Sequence, residues 1–315
     1  MFDVLRRIKM MRIYLAFDVG GTNTKYAAIT EEGDILTKGK FKSPKSSFDE
    51  LISSMGEVHR ELSKEYSFVG VALSVPGAPN NETGIIQNDS ALKYLHGPNF
   101  REALLKETGL YSYAENDAKS AALCEVWKGA ASDVEDALFI VIGTGIGGAI
   151  VKNKKVHHGV NLLAGEFGYM ILKSDFGKGK FETLSGLGST GSLVRDVATR
   201  KGLEVDQISG EEIFQKAEEG DKDCIEAIET FYESLGVGIF NLMYFYNPEK
   251  VIIGGAISSR SDLIENIKEK LELIKMGIKY GVDDVDPPIV TCAYEGDANL
   301  LGAVYNYMIQ VSKGH

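Results

Sequence analysis

The chain has 315 residues, 44% of them hydrophobic and 25% charged, a globular composition long enough for two cored domains. Thirty-four basic residues against forty-five acidic ones give a net charge of -11, a field that repels phosphate and argues against nucleic acid or an anionic membrane as a general partner. Cys124, Cys224 and Cys292 lie far apart and form no C-x-x-C, which excludes a disulfide scaffold and a zinc ribbon and makes the cytoplasm the expected compartment.

Residues 1–11 carry Arg6, Arg7 and Lys9 without an uncharged hydrophobic core, so they are not a signal peptide, and Met11 reads as the natural start. No apolar run approaches the roughly 20 residues of a membrane span. Residues 13–18 (IYLAFD) predict a strand, followed by Val19-Gly20-Gly21-Thr22, an apolar run over 26–29, a charged turn over 31–34 and a strand from Ile35. An amphipathic helix is predicted over 48–66, a buried strand over 68–74, and a helix over 99–108 ended by Gly109. The next helix, 116–127, carries Asp117 in its first turn. A strand over 137–142 leads into Gly143-Thr144-Gly145, an apolar run over 149–151, a turn over 153–155 and Val156. A long helix over 224–246 stops at Asn247-Pro248, a strand over 251–253 closes on Gly254-Gly255, and a last helix covers 300–311.

One pattern occurs twice. Thr22 to Glu31 and Thr144 to Asn153 are both nine steps, each a Gly/Thr hairpin, a strand and a charged turn. The duplication implies two similar α/β domains facing one another across a cleft. The expected boundaries are 12–122 plus 303–315 for the N-terminal domain and 123–302 for the C-terminal one, with the hinge made of ordinary helix ends.

Residues 143–148 spell G-x-G-x-x-G, but a strand and hairpin follow where a dinucleotide site needs a helix. The P-loop is absent, and Asp175-Phe176-Gly177 has no accompanying H-R-D loop. What remains is a pair of hairpins whose backbone amides and threonine hydroxyls can hold phosphate: Gly20, Gly21 and Thr22 in one, Thr144 and Gly145 in the other. For either hairpin alone, a plain tight turn is an equal reading. Asp18, just before the first, would hold Mg²⁺ through water. Asn116 and Asp117 open a helix, so one could be merely a cap, but together they can grip two adjacent sugar hydroxyls while Asp117 accepts a proton. Glu166 adds a carboxylate, unless it is a solvated turn residue. Gly254-Gly255 suits a flat ring lying on backbone. His59, His96, His157, His158 and His315 show no metal-ligand spacing.

Together these residues resemble the ROK family of bacterial sugar kinases, within the hexokinase–actin superfamily. The resemblance rests on residues 18–22 (DVGGT), 115–118 (ENDA), 141–148 (VIGTGIGG), 164–168 (AGEFG), 247–255 and 301–304 (LGAV), in order over almost the whole chain. It implies two RNase H-like domains around the cleft, ATP and Mg²⁺, and a hexose acceptor. It further implies Asp117 as catalytic base, Asn116 as hydroxyl ligand, and Gly77, Glu166 and Tyr169 lining the sugar site. Thr22 and Thr144 become the phosphate hairpins and Gly254-Gly255 the adenosine turn. Many members carry a zinc-binding His and a C-x-C-G-x-x-G-C-L-E stretch; here Tyr169 replaces the His, and Ser185, Leu187 and Ser192 the thiols, so no zinc is expected. Val194 stands at the motif's Glu, and with Tyr169 it is expected at the C1–C2 end of the sugar, relaxing the demand for a free O1.

The zinc-less resemblance favours the β-glucoside kinase branch and 6-phosphorylation of β-glucosides. N-acetylmannosamine kinase and glucokinase are the alternatives, and an inactive sugar-binding sensor is the other class. A transcriptional regulator would need a DNA-reading module for which the residues before Met11 are too few. Domain closure on sugar and a homodimer are expected.

Overall fold

The computed structural model describes residues 11–87, 92–278, 285–294 and 296–312. Residues 1–10, which bear on the reading of Met11 as the start, and His315 lie outside them. The chain forms two compact units. One takes the described residues up to Gly129, then Gly159–Leu163, then those from Tyr294 onward; the other takes Ala130–His158 and Ala164–Ala293.

In the first unit, β1 (Ile13–Val19), β2 (Asn23–Thr30) and β3 (Ile35–Lys42) form an antiparallel meander. Helix α1 (Phe48–Leu62) leads to β4 (Phe68–Val75), a small hairpin β5 (Ala78–Asn80) and β6 (Ile85–Gln87), helix α2 (Phe100–Thr108), β7 (Ser112–Asn116) and helix α3 (Asp117–Lys128). The sheet order is β3-β2-β1-β4-β7, with β1–β4 and β4–β7 parallel. β1 is apolar on both faces because helices cover both. Leu15 and Phe17 pack with Leu51, Met55 and Leu104 of α1 and α2. Tyr14 and Ala16 pack on the other side with Leu300, Val304 and Tyr307. β3, at the edge, alternates instead and points Lys38, Lys40 and Lys42 outward, which blunts pairing with another chain.

In the second unit, β8 (Ala137–Ile142), β9 (Ile146–Lys152) and β10 (Lys155–His157) repeat the meander. A hairpin of β11 (Ile171–Asp175) and β12 (Lys180–Thr183) follows, then helices α4 (Leu184–Gly188), α5 (Thr190–Lys201), α6 (Gly210–Glu218) and α7 (Lys222–Tyr246). β13 (Lys250–Gly254), helix α8 (Leu263–Gly277) and β14 (Ile289–Thr291) complete it, and α9 (Ala298–Ser312) returns to the first unit. The order β10-β9-β8-β13-β14 repeats that of the first sheet, strand for strand. Asn153 and Lys154, at φ 51° and 57°, make the two-residue turn that matches the twist of β9 and β10. The duplication legible as matched spacing is thus a duplication of topology.

Three features differ from the sequence expectations. Helix α1 stops at Leu62 rather than Tyr66, because Glu65 and Tyr66 both donate to Leu62 O and turn the chain into β4. The units part after Gly129 and before Tyr294, not at 122 and 302, because α3 and α9 pack as whole helices. A Cβ on Gly302 would lie 1.7 Å from Ser120 O, so the glycine lets the two backbones touch. Finally, Gly159–Leu163 joins the first unit, where the buried Lys119 ammonium donates to Leu162 O at 2.6 Å.

Candidate active site

The parallel register of β1, β4 and β7 pairs Asp18 with Ser74 and Val75 with Asn116, so the carboxyl ends of three strands lie along one edge of the first sheet. Open α/β sheets bind ligands at such edges. The first hairpin closes through Gly20 N donating to Asn23 O at 3.2 Å. Ser43 fastens it: its hydroxyl donates to Gly20 O at 2.6 Å and its amide to Thr22 O at 3.1 Å. Gly21 and Thr22 are left exposed on a braced turn. Asp18 Oδ1 accepts from Ser74 Oγ at 3.0 Å and from Asn299 Nδ2 at 3.1 Å. Two neutral donors orient this carboxylate without neutralising it, which fits a hydrated Mg²⁺. Ser43, Ser74 and Asn299 are not among the residues the sequence singles out; the partners named here stand far along the chain, up to 281 positions for Asn299, and no local pattern marks them.

Asn116 ends β7 and is the N-cap of α3 rather than its first residue, its Oδ1 accepting from Lys119 N at 3.2 Å. The capping reading is therefore correct for Asn116. The same amide does more: Nδ2 donates to Gly77 O at 3.0 Å, which brings the predicted residues Gly77 and Asn116 together. Asp117, the first helical residue, is exposed and accepts from Ala118 N at 2.8 Å. A carboxylate is favoured there by the helix dipole.

In the second unit, β8 and β13 run parallel with Gly254 beside Val141, so the second hairpin and the Gly254-Gly255 turn share an edge. Gly255 has φ 98°, and a Cβ there would lie 2.1 Å from Ile142 O, one residue before the hairpin. The start of α5 grips that hairpin: Thr190 Oγ1 donates to Gly143 O at 2.6 Å and Ser189 Oγ to Thr144 O at 3.1 Å. Ser185 Oγ accepts from Ile146 N at 2.9 Å, next to Gly145. Thr144 itself is exposed. Glu166 is half-buried at the head of a single 3-10 turn (Phe167–Tyr169) and makes no side-chain cap bond; Tyr169 is 79% exposed.

Ser185 and Ser192, at two of the zinc-thiol positions, have structural duties instead. Ser192 and Ser189 exchange side-chain and backbone hydrogen bonds in a capping box that starts α5. Among the described residues, no three His, Cys, Asp or Glu side chains gather as a metal site. Protein purified without a histidine tag is expected to carry no stoichiometric zinc and to keep its melting temperature on chelation; unfolding by the chelator would contradict this.

A cavity of about 410 Å³ opens in this unit, bordered by Thr144, Gly191, Val194, Phe214, Ala256 and Arg260. That size suits a small-molecule ligand. Its wall corrects one expectation: Val194 packs against the unit's core and lines this cavity beside the second hairpin and the Gly254-Gly255 turn. That lining includes neither Glu166 nor Tyr169, beside which Val194 is expected.

Comparison with known proteins agrees with this architecture. The ROK family profile matches residues 14–307. A beta-glucoside kinase of Listeria monocytogenes is 35% identical over 295 residues, covering 93% of this chain and 96% of the relative. One from Klebsiella pneumoniae is 30% identical over 293 residues, covering 93% and 95%. The crystal structure of a Streptococcus pneumoniae ROK family protein in complex with sucrose superposes with a TM-score of 0.86 at 37% identity, covering 96% of this chain and 99% of that one. The duplicated sheets, the two braced hairpins and the Asn–Asp helix start thus occur in a chain that belongs to the ROK family.

Proposed function

We propose that this ROK-family sugar kinase transfers the γ-phosphoryl group of ATP to the 6-hydroxyl of a hexose, with β-glucosides as preferred acceptors. The observation that carries the proposal is the doubly used amide of Asn116, capped onto α3 and tied to Gly77, with the exposed Asp117 carboxylate beside it. So oriented, Asn116 presents its remaining N–H to a sugar hydroxyl, and Asp117 accepts the proton of the attacking 6-hydroxyl. Glu166 takes further ring hydroxyls. Thr22 and Thr144, with the amides of Gly20, Gly21 and Gly145, align the phosphates, and Gly254-Gly255 receives the adenosine. Positioning and charge neutralisation are most of what phosphoryl transfer requires. Mg²⁺, held by Asp18 through its water shell, would supply charge stabilisation to the phosphates.

The preference for β-glucosides draws support from the named Listeria and Klebsiella relatives; the sucrose of the Streptococcus structure, an α-glucoside, supports room for a sugar substituted at O1 but not the β configuration. Within this chain the residue that favours a substituted O1 is Tyr169, an exposed ring where a sugar-facing imidazole would stand in zinc-binding members. A cytoplasmic homodimer fits the reading, with Phe176 and Phe245 as exposed apolar surface of the second unit. Among the described residues no helix is long and apolar enough to cross a membrane.

A coupled ADP-release assay over methyl β-glucoside, cellobiose, glucose and N-acetylated hexosamines tests the proposal. Turnover of both β-glucosides with kcat/KM equal to or above that of glucose is expected. Strong preference for an N-acetylated sugar, with no turnover of methyl β-glucoside, would overturn the acceptor assignment; absence of turnover with every sugar would favour the sensor.

A further inference from the structure

We propose that Arg260 is a specificity-determining residue for the nucleotide: its guanidinium is the plate on which a purine base stacks, selecting ATP over pyrimidine triphosphates. The inference rests on the cavity of the second unit being the nucleotide pocket. Four observations carry it. The guanidinium carbon lies 3.8 Å from the centroid of the Phe214 ring, so one face of the group is already stacked. Nε and Nη2 donate to the two oxygens of Asp262 at 3.0 and 2.7 Å, an in-plane fork that stops the guanidinium from rotating. Arg260 and Phe214 both border the cavity of about 410 Å³. The chain delivers Arg260 to that wall directly from the Gly254-Gly255 turn, through the 3-10 turn Ala256–Ser259.

The chemistry of such a plate is specific. With one face on Phe214 and the edge occupied by Asp262, the group offers a ligand its second face. The paired carboxylate compensates the positive charge, so covering that face with a neutral ring strands no isolated ion. A flat, bicyclic π-system overlaps the guanidinium more fully than a single pyrimidine ring does, and arginine stacks on such faces where lysine cannot. A cation placed to bind phosphate would look different: its N–H fork would be open to the ligand instead of filled by Asp262.

Calorimetric binding of ADP and of CDP separates the possibilities without requiring phosphoryl transfer. Arg260→Lys keeps the charge and loses the plane. It is expected to weaken ADP by about tenfold and CDP by much less, which collapses the preference of the unaltered protein. Asp262→Asn, at a half-exposed position, should weaken ADP in the same selective way by loosening the plate. Equal weakening of both nucleotides, or an unchanged ADP-to-CDP ratio, would overturn the inference while leaving the nucleotide pocket in place. If the unaltered protein bound neither nucleotide, the pocket assignment and the inference would fall together.

Discussion

Asp117→Asn is expected to lower kcat by about 10²–10⁴-fold, the usual size of a general-base contribution, with sugar affinity and melting temperature close to those of the unaltered protein. The substitution keeps the shape and an acceptor oxygen for Ala118 N, to which Asp117 is bonded at 2.8 Å. It removes the lone pair that takes the proton. Because Asn116, one position earlier, provides the α3 cap, the change does not uncap the helix. Asn116→Ala should behave differently: losing the cap costs about 1 kcal/mol, and losing the bond to Gly77 O loosens the sugar site, so stability and KM should both suffer. Steady-state kinetics with thermal melts on the two variants distinguishes the roles; near-normal turnover by a well-folded Asp117→Asn protein would contradict the assignment.

Gly255→Ala is the second large effect. At φ 98° an alanine is strained, and its Cβ would stand 2.1 Å from Ile142 O, a backbone atom that cannot rotate away. The turn must therefore move relative to β8, at the base of the second hairpin. A loss of about 2–4 kcal/mol in stability is expected, together with ADP binding weakened by at least about tenfold. Chemical denaturation and calorimetry on the same preparation check both; unchanged stability and unchanged ADP affinity would show that the close approach has no functional weight.

Much of this architecture can be read before folding because the duplicated pattern is local. Nine steps from Thr to charged turn suffice to predict each hairpin, and positive φ at Asn153 and Lys154 shows why the second turn holds. Gly254-Gly255 and Asn116-Asp117 are likewise readable as residue types with few alternative uses. The braces are not. Ser43, Ser74 and Asn299 are ordinary polar residues whose meaning arises only when distant segments meet at the sheet edge. The placing of Gly159–Leu163 in the first unit goes with Lys119 of α3, buried with its ammonium donating to Leu162 O, a contact 43 positions away that no local pattern marks. Val194 is expected beside Tyr169 and borders instead a cavity that Tyr169 does not line. Motif position gives the register on α5, whereas the cavity it lines is defined by Phe214 and Arg260, from elements further along the chain.

Transfer of phosphate to the 6-hydroxyl of a β-glucoside is tested most directly by phosphorus–proton correlation NMR of the product made from ATP and methyl β-glucoside. One ADP per phosphate ester, with the phosphorus coupled to both C6 protons, is expected; an ester on any other hydroxyl, or no ester at all, would contradict it.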